Sequence, residues 1–231
     1  MTGQKVAVAL LAGGSGIRFK SPVPKAFLEV ASRPLIHHSL VAFDAMPEIA
    51  SIRIAVPAGE GPRLEAALGA LKLRAYGGWV TGGAERPDSA LAALRALEAD
   101  GPAVGLIHDA ARPVVSAAEV GDLLKAREAH DGAFLAAPAV DTLWRIHGDK
   151  AVGTVDRAGL VRALTPQAFR YPVIREAYER GVAEGFPGTD DASFASKAGA
   201  DVVWVQGSPR NLKVTYPEDL ALAERLLRGE A

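Results

Sequence analysis

Three glycines and two cations stand close together near the start of the chain, in Ala12-Gly13-Gly14-Ser15-Gly16-Ile17-Arg18 and then Pro22-Val23-Pro24-Lys25. The run before them, Val6-Ala-Val-Ala-Leu-Leu11, is short, apolar and Val-rich, as a buried parallel strand is. Glycines at the end of such a strand let the backbone turn sharply and bring its N–H groups close to a ligand. Arg18 and Lys25 add positive charge, and the flanking prolines restrict the backbone ahead of Lys25. The combination suits a polyphosphate. It is not a P-loop, because the chain has no Gly-Lys pair, and not a dinucleotide fingerprint, because Phe19 stands where a third glycine is required. The alternative is a plain strand-to-helix turn with two solvated cations.

Two further polar motifs follow apolar runs: Thr81-Gly-Gly-Ala-Glu-Arg-Pro-Asp-Ser89 and His108-Asp-Ala-Ala-Arg-Pro113. In open α/β sheets, ligands sit at the carboxyl ends of strands, where both motifs fall. Asp109 is placed to hold a divalent cation against phosphate oxygens, or else to cap a turn or pair with Arg112. Gly82 and Gly83 would admit a flat base, and Ser89 reads as a helix N-cap with ligand contact as a possible addition. Later clusters are Thr154-Val-Asp-Arg157, Leu164-Thr-Pro-Gln167 and Asn211-Leu-Lys-Val-Thr215. Lys213 sits in a short apolar stretch, which calls for an anionic substrate, an internal salt bridge or an edge strand facing solvent. The histidines show no metal spacing. His37, His38, His130 and His147 read as structural, and His108 is open.

The elements that must position these residues alternate between strand and helix. Strands are expected at 6–11, 51–56, around 79–80, and at 103–107, 133–137, 201–205 and 212–214. Helices are expected at 35–46, 63–70, 89–99, 117–129, 173–184, 191–197 and 217–227. The pattern predicts parallel βαβ units in one α/β domain over 1–231. It breaks at about 139–163, where turn residues such as Gly148-Asp149 separate short β-prone runs, the signature of an inserted β-hairpin or arm.

The 231 residues are 49% hydrophobic with a formal net charge of −1, so a nucleic-acid binder is not expected. Absence of cysteine removes disulfides, thiolate metal sites and a cysteine nucleophile. No apolar run is long enough for a membrane span and no signal-peptide core is present, so a soluble cytoplasmic protein without a membrane partner is expected.

Taken in order, these motifs resemble one family, the 2-C-methyl-D-erythritol 4-phosphate cytidylyltransferases. The matching residues are Ala12–Arg18, Pro24-Lys25, Gly82-Gly83 with Glu85-Arg86 and Asp88-Ser89, and His108–Pro113. They continue with Asp141-Thr142, Thr154–Arg157, Ala163–Gln167, Thr189-Asp190 and Leu212–Thr215, over nearly the whole chain. The resemblance implies an α/β, three-layer, mostly parallel Rossmann-like nucleotidyltransferase sheet with an inserted β-arm. It implies transfer of CMP from CTP to the phosphate of methylerythritol phosphate, with release of pyrophosphate. Arg18 and Lys25 would stabilise the transition state, and no general base is required. Ala12, Gly13, Gly14, Gly16, Gly83, Ser89, Asp109 and Ala110 would contact CTP, with Asp109 beside a Mg²⁺ on the triphosphate. Thr142, Arg157, Thr165, Thr189 and Lys213 would serve the acceptor, Arg157 and Lys213 by holding its phosphate. The arm would cross to a second copy, giving a homodimer with shared sites.

Two residues depart from the family pattern. Ala84 follows the Gly-Gly pair where an acidic residue is common, so base selection would rest more on backbone groups. Arg210 precedes Asn211 where an aspartate is common, which removes a carboxylate from the metal or substrate and offers a cation to phosphate instead. A cytidylyltransferase for another polyol phosphate, such as ribitol 5-phosphate, a sugar-phosphate nucleotidyltransferase using another nucleotide, and a non-catalytic nucleotide-binding module remain the alternatives at this point.

Overall fold

The apolar run Val6–Leu11 becomes β1, buried along its whole length. Its alternate side chains serve two cores: Val6, Val8 and Leu10 face one way, Ala7, Ala9 and Leu11 the other. The computed structural model describes residues 4–13, 19, 23–69 and 71–230. After a 3-10 turn at Lys25–Phe27 come the short pair β2 (Glu29–Val30) and β3 (Arg33–Pro34), then α1 (Leu35–Asp44). The chain continues through β4 (Ile49–Val56), α2 (Gly61–Leu68), β5 (Tyr76–Thr81), α3 (Arg86–Leu97) and β6 (Val104–Asp109). Next are α4 (Ala117–Glu128), β7 (Gly132–Pro138), the hairpin strands β8 (Leu143–His147) and β9 (Lys150–Val155), and β10 (Val161–Arg170). Helices α5 (Tyr171–Ala183) and α6 (Asp191–Lys197), strand β11 (Val202–Gln206) and helix α7 (Asp219–Leu227) complete the described elements.

Seven strands form one sheet in the order β11-β7-β10-β6-β1-β4-β5. All neighbours pair in parallel except β10, which runs antiparallel to both β6 and β7. Helices α1, α2 and α4 cover one face, with Ile36, Phe43, Leu64 and Leu123 in its core. Helices α3, α5 and α6 cover the other, with Leu94, Ile174, Tyr178 and Phe194. The result is the three-layer, mostly parallel α/β sheet expected from the alternation.

Two expectations are corrected. Residues 161–170 form a full strand that the sequence reading leaves unassigned, because Thr165-Pro166 interrupts its pattern. That bond is cis, and pairing with β7 skips from Ala163 to Gln167. Conversely, 212–214 is not a strand. It is an extended segment tied to the chain just past β6, where the Val214 N–H donates to Ala111 O at 2.9 Å. The hairpin closes through the two-residue turn Gly148-Asp149 and makes its own two-stranded sheet. Residues 161–163 beyond it already pair with β7.

Candidate active site

The parallel strands β4, β1 and β6 all end on one side, and sheet bonding runs slightly past them. Ala12 N–H donates to Ala55 O at 2.8 Å, and Ala110 N–H to Leu11 O at 2.9 Å. Gly82 N–H donates to Val56 O at 2.7 Å. This edge, with Lys25 and the segment around Lys213, encloses a cleft of about 390 Å³. Ala12, Gly13, Gly83, Ser89, Asp109 and Ala110 line it together with Lys25 and Lys213. The cleft thus gathers every described residue expected to meet CTP. Arg18, Gly14 and Gly16 lie outside the described residues.

Ser89 is not the helix cap. The cap of α3 is Glu85, whose N–H donates to Asp88 Oδ2 at 3.0 Å, and Ser89 lies one turn in, its hydroxyl donating to Glu85 O at 3.2 Å. It is wedged between two glycine-built loops. A Cβ on Gly82 would lie 2.5 Å from Ser89 Oγ, and one on Gly13 would lie 3.3 Å from it. Glycine is required here for close approach.

Below the cleft, His108 and Thr165 set the backbone of Asp109. The His108 ring meets Arg112 O through Nε2 at 3.0 Å; a carbonyl only accepts, so Nε2 carries the proton. Nδ1 then accepts from the Thr165 hydroxyl at 3.0 Å, and Thr165 Oγ1 accepts from the Asp109 N–H at 3.1 Å. Burial lowers the His108 pKa to about 4, so the ring is neutral at pH 7. Thr165, expected to serve the acceptor, is buried beneath the strand end.

The Asp109 carboxylate faces two cations. Oδ1 accepts from Arg86 Nε at 3.1 Å and Oδ2 from Lys213 Nζ at 2.6 Å. Burial alone would raise its pKa, but Arg86 and then Lys213 outweigh that and hold it well below the usual carboxylate range. Its expected alternative partner, Arg112, turns away to donate to Asn211 O at 2.8 Å. Asn211 Nδ2 in turn donates to Thr165 O at 2.9 Å, and Lys25 Nζ donates to Val214 O at 2.8 Å. These bonds pin the 211–214 segment so that Lys213 stands over Asp109.

The sequence alone gives Arg86, Asp191 and Tyr178 no role. The Arg86 guanidinium pairs with both oxygens of Asp191, at 2.9 and 3.0 Å, and the Tyr178 hydroxyl donates to Asp191 Oδ1 at 2.5 Å. The available signal was Asp190-Asp191 at a helix start: Asp190 caps α6, accepting from Ser193 N–H at 3.0 Å, which leaves the second acid for another task. Thr142 and Arg157 are exposed beside the hairpin, and Thr189 is exposed ahead of α6; none lines the cleft. The Arg157 guanidinium donates to Val140 O.

Among the described residues, no group of three or more His, Asp or Glu side chains could hold a resident metal. A carboxylate at the strand end does fit a Mg²⁺ that arrives with a triphosphate, and Asp109 and Glu85 both line the cleft. Asp109 is the residue that would face it.

Residues 6–229 match the family model described as IspD: 2-C-methyl-D-erythritol 4-phosphate cytidylyltransferase. The chain belongs to that family. A relative of that name from Geotalea uraniireducens (strain Rf4) is 38% identical over 230 residues, covering 97% of each chain. One from Cereibacter sphaeroides (strain KD131) is 41% identical over 223 residues, covering 96% of each. The crystal structure of the family's enzyme from Thermus thermophilus is 32% identical and superposes with a TM-score of 0.77, covering 95% of this chain and 98% of that one. The sheet and its helices are those of the IspD family's nucleotidyltransferase fold.

Proposed function

We propose that the cleft transfers CMP from CTP to 2-C-methyl-D-erythritol 4-phosphate and releases pyrophosphate. The observation that carries this reading is the convergence of Lys25, Lys213 and Asp109 on one cleft beside a glycine-built loop, in a chain of the IspD family. An oxygen of the acceptor phosphate attacks the α-phosphorus of CTP in line, and the bond from that phosphorus to the pyrophosphate oxygen breaks. The nucleophile is already anionic at neutral pH, so no residue need remove a proton, which agrees with a His108 ring whose two nitrogens are both engaged inside the fold. The work left to the protein is positioning and charge stabilisation. Backbone groups at Ala12, Gly13, Gly83 and Ala110, with Ser89, hold the nucleoside end. Lys25 and Arg18 stabilise charge building on the triphosphate, and Lys213 holds the acceptor phosphate. Mg²⁺ bound with the triphosphate would neutralise part of its charge, held against Asp109.

The arm, at about 139–163 of one nucleotidyltransferase domain, reaches a second copy of the chain and brings Thr142 and Arg157 to that copy's cleft. Supporting this, both residues stand away from their own cleft, while Trp144, Ile146 and Val152 of the hairpin are 56%, 69% and 62% exposed. Apolar side chains displayed on a hairpin suit a second protein surface.

The deciding assay is pyrophosphate release with CTP and Mg²⁺, comparing methylerythritol phosphate with ribitol 5-phosphate. Release with the first acceptor is expected; release with the second alone would move the assignment to another polyol phosphate, and no release would leave a nucleotide-binding module. Mixing Arg157→Ala with Lys25→Ala subunits should restore activity if the arm completes its neighbour's site, and a verified mixed dimer without recovery would refute the exchange.

A further inference from the structure

Arg86 lines the cleft, yet its guanidinium is committed inside the fold, to two carboxylates and, at 3.5 Å, to the Tyr178 hydroxyl. Nη1 and Nη2 face Asp191, and Nε faces Asp109. A two-pronged pair of this kind fixes the plane of the guanidinium as well as its place. The far end is itself locked. Asp191 is fully buried and takes the Tyr178 hydroxyl, and the Tyr178 ring stacks on Phe194 with centroids 4.3 Å apart. Arg86 is therefore a strut from the packed core between α5 and α6 to one oxygen of Asp109. It leaves the other oxygen to Lys213.

We infer that Arg86 and Asp191 are positioning residues for the acceptor: by holding one oxygen of Asp109, they let Lys213 part from the other and take the acceptor phosphate. This rests on the reading of Lys213 given above. With both cations in place, Asp109 keeps a partner when Lys213 leaves. Without the strut, no other protein side chain is hydrogen-bonded to the Asp109 carboxylate once Lys213 leaves, so parting from it costs more. Lys213 then stays on Asp109, and the acceptor competes for it.

The test uses the full chain with Arg86→Lys, Asp191→Asn, the double variant, Tyr178→Phe and Lys213→Ala. Three quantities are read: thermal melting, CTP affinity with Mg²⁺ by calorimetry, and the KM for methylerythritol phosphate. A lysine at 86 keeps the charge but loses the planar fork that pairs Asp191 two-pronged while holding Asp109, and an asparagine at 191 keeps the shape without the charge. Each should raise the acceptor KM about ten-fold or more, the scale of one charge-assisted hydrogen bond. CTP affinity should stay within about three-fold, and the double variant should be no worse than the worse single, because both act through one link. Loss of CTP binding in Arg86→Lys with normal binding in Asp191→Asn would overturn the inference, since Arg86 would then touch the triphosphate itself. An unmoved acceptor KM in both folded variants would overturn it too. If neither folds, Tyr178→Phe decides: a raised acceptor KM supports the strut, and a wild-type value refutes it. Should Lys213→Ala leave the acceptor KM unchanged, the reading of Lys213 fails and the inference with it; should that KM rise while the strut variants stay silent, the strut alone falls.

Discussion

Gly82→Ala presses on the nucleotide side of the cleft without altering a charge. The new Cβ would lie 2.5 Å from Ser89 Oγ, 3.1 Å from Ser89 Cβ and 3.4 Å from the Val56 carbonyl oxygen. Ser89 has little room to yield. Its Cβ is set by the first turns of α3, its side chain is buried, and on its other side stands Gly13, where a Cβ would already be 3.3 Å from the same hydroxyl. Overpacking of this kind costs about 1–3 kcal/mol. For a chain of this length that is a fall in Tm of roughly 3–10 °C. The same shift would move the loop against which the base is placed, and an error of about 1 Å in position can cost on the order of 10²-fold in rate. Ser89→Ala is the internal control. It removes the 2.5 Å contact and leaves the 3.1 Å one. By itself it loses one hydroxyl bond to Glu85 O and gains helix propensity, a net change within about 1 kcal/mol. Combined, the two substitutions should show a favourable coupling of about 1–2 kcal/mol in a denaturant-unfolding cycle of the four proteins. A Gly82→Ala protein as stable as wild type, or a penalty undiminished in the Ser89→Ala background, would refute the wedge.

Lys25→Ala should lower turnover by on the order of 10²–10³ while the fold persists, and near-normal turnover by a folded variant would remove its charge-stabilising role. His108 is kept neutral by burial, with its pKa lowered from 6.5 to about 4. Between those values the unfolded chain takes up a proton that the folded chain refuses, so stability falls as pH falls, by up to about 1.4 kcal/mol per pH unit. Unfolding measured from pH 7 to 5 should show this slope reduced in His108→Gln; equal slopes would contradict it. In the β2–β3 turn, Ala31 and Ser32 adopt φ of 49° and 62°, a left-handed pair without glycine. Ser32→Gly should therefore stabilise by roughly 0.5–1 kcal/mol, the relief of the side-chain clash less glycine's entropy, and a lower Tm would count against that reasoning.

What was legible in the sequence was local, and what was not depended on topology. β1 is read from consecutive residues, and α6 begins and ends where its capping Asp190 and apolar spacing place it. Lys213 in an apolar setting called for an anion or for an edge facing solvent, and the structure gives it an anion. Which anion is a different matter. Asp109 lies 104 positions away, and it reaches Lys213 only because the segment after β11 is pinned across the end of β6. Arg86 and Asp191 are 105 positions apart and meet because α3 and α6 share one face of the sheet. That shared face requires β10 to enter the sheet antiparallel beside β6, and β10 is the strand whose pattern is broken at Thr165-Pro166. A strand hidden from a periodicity argument thus brings Thr165 under Asp109 and leads into α5, where Tyr178 holds the far end of the strut. Local chemistry shows which residues need partners, and the strand order decides which partners they meet.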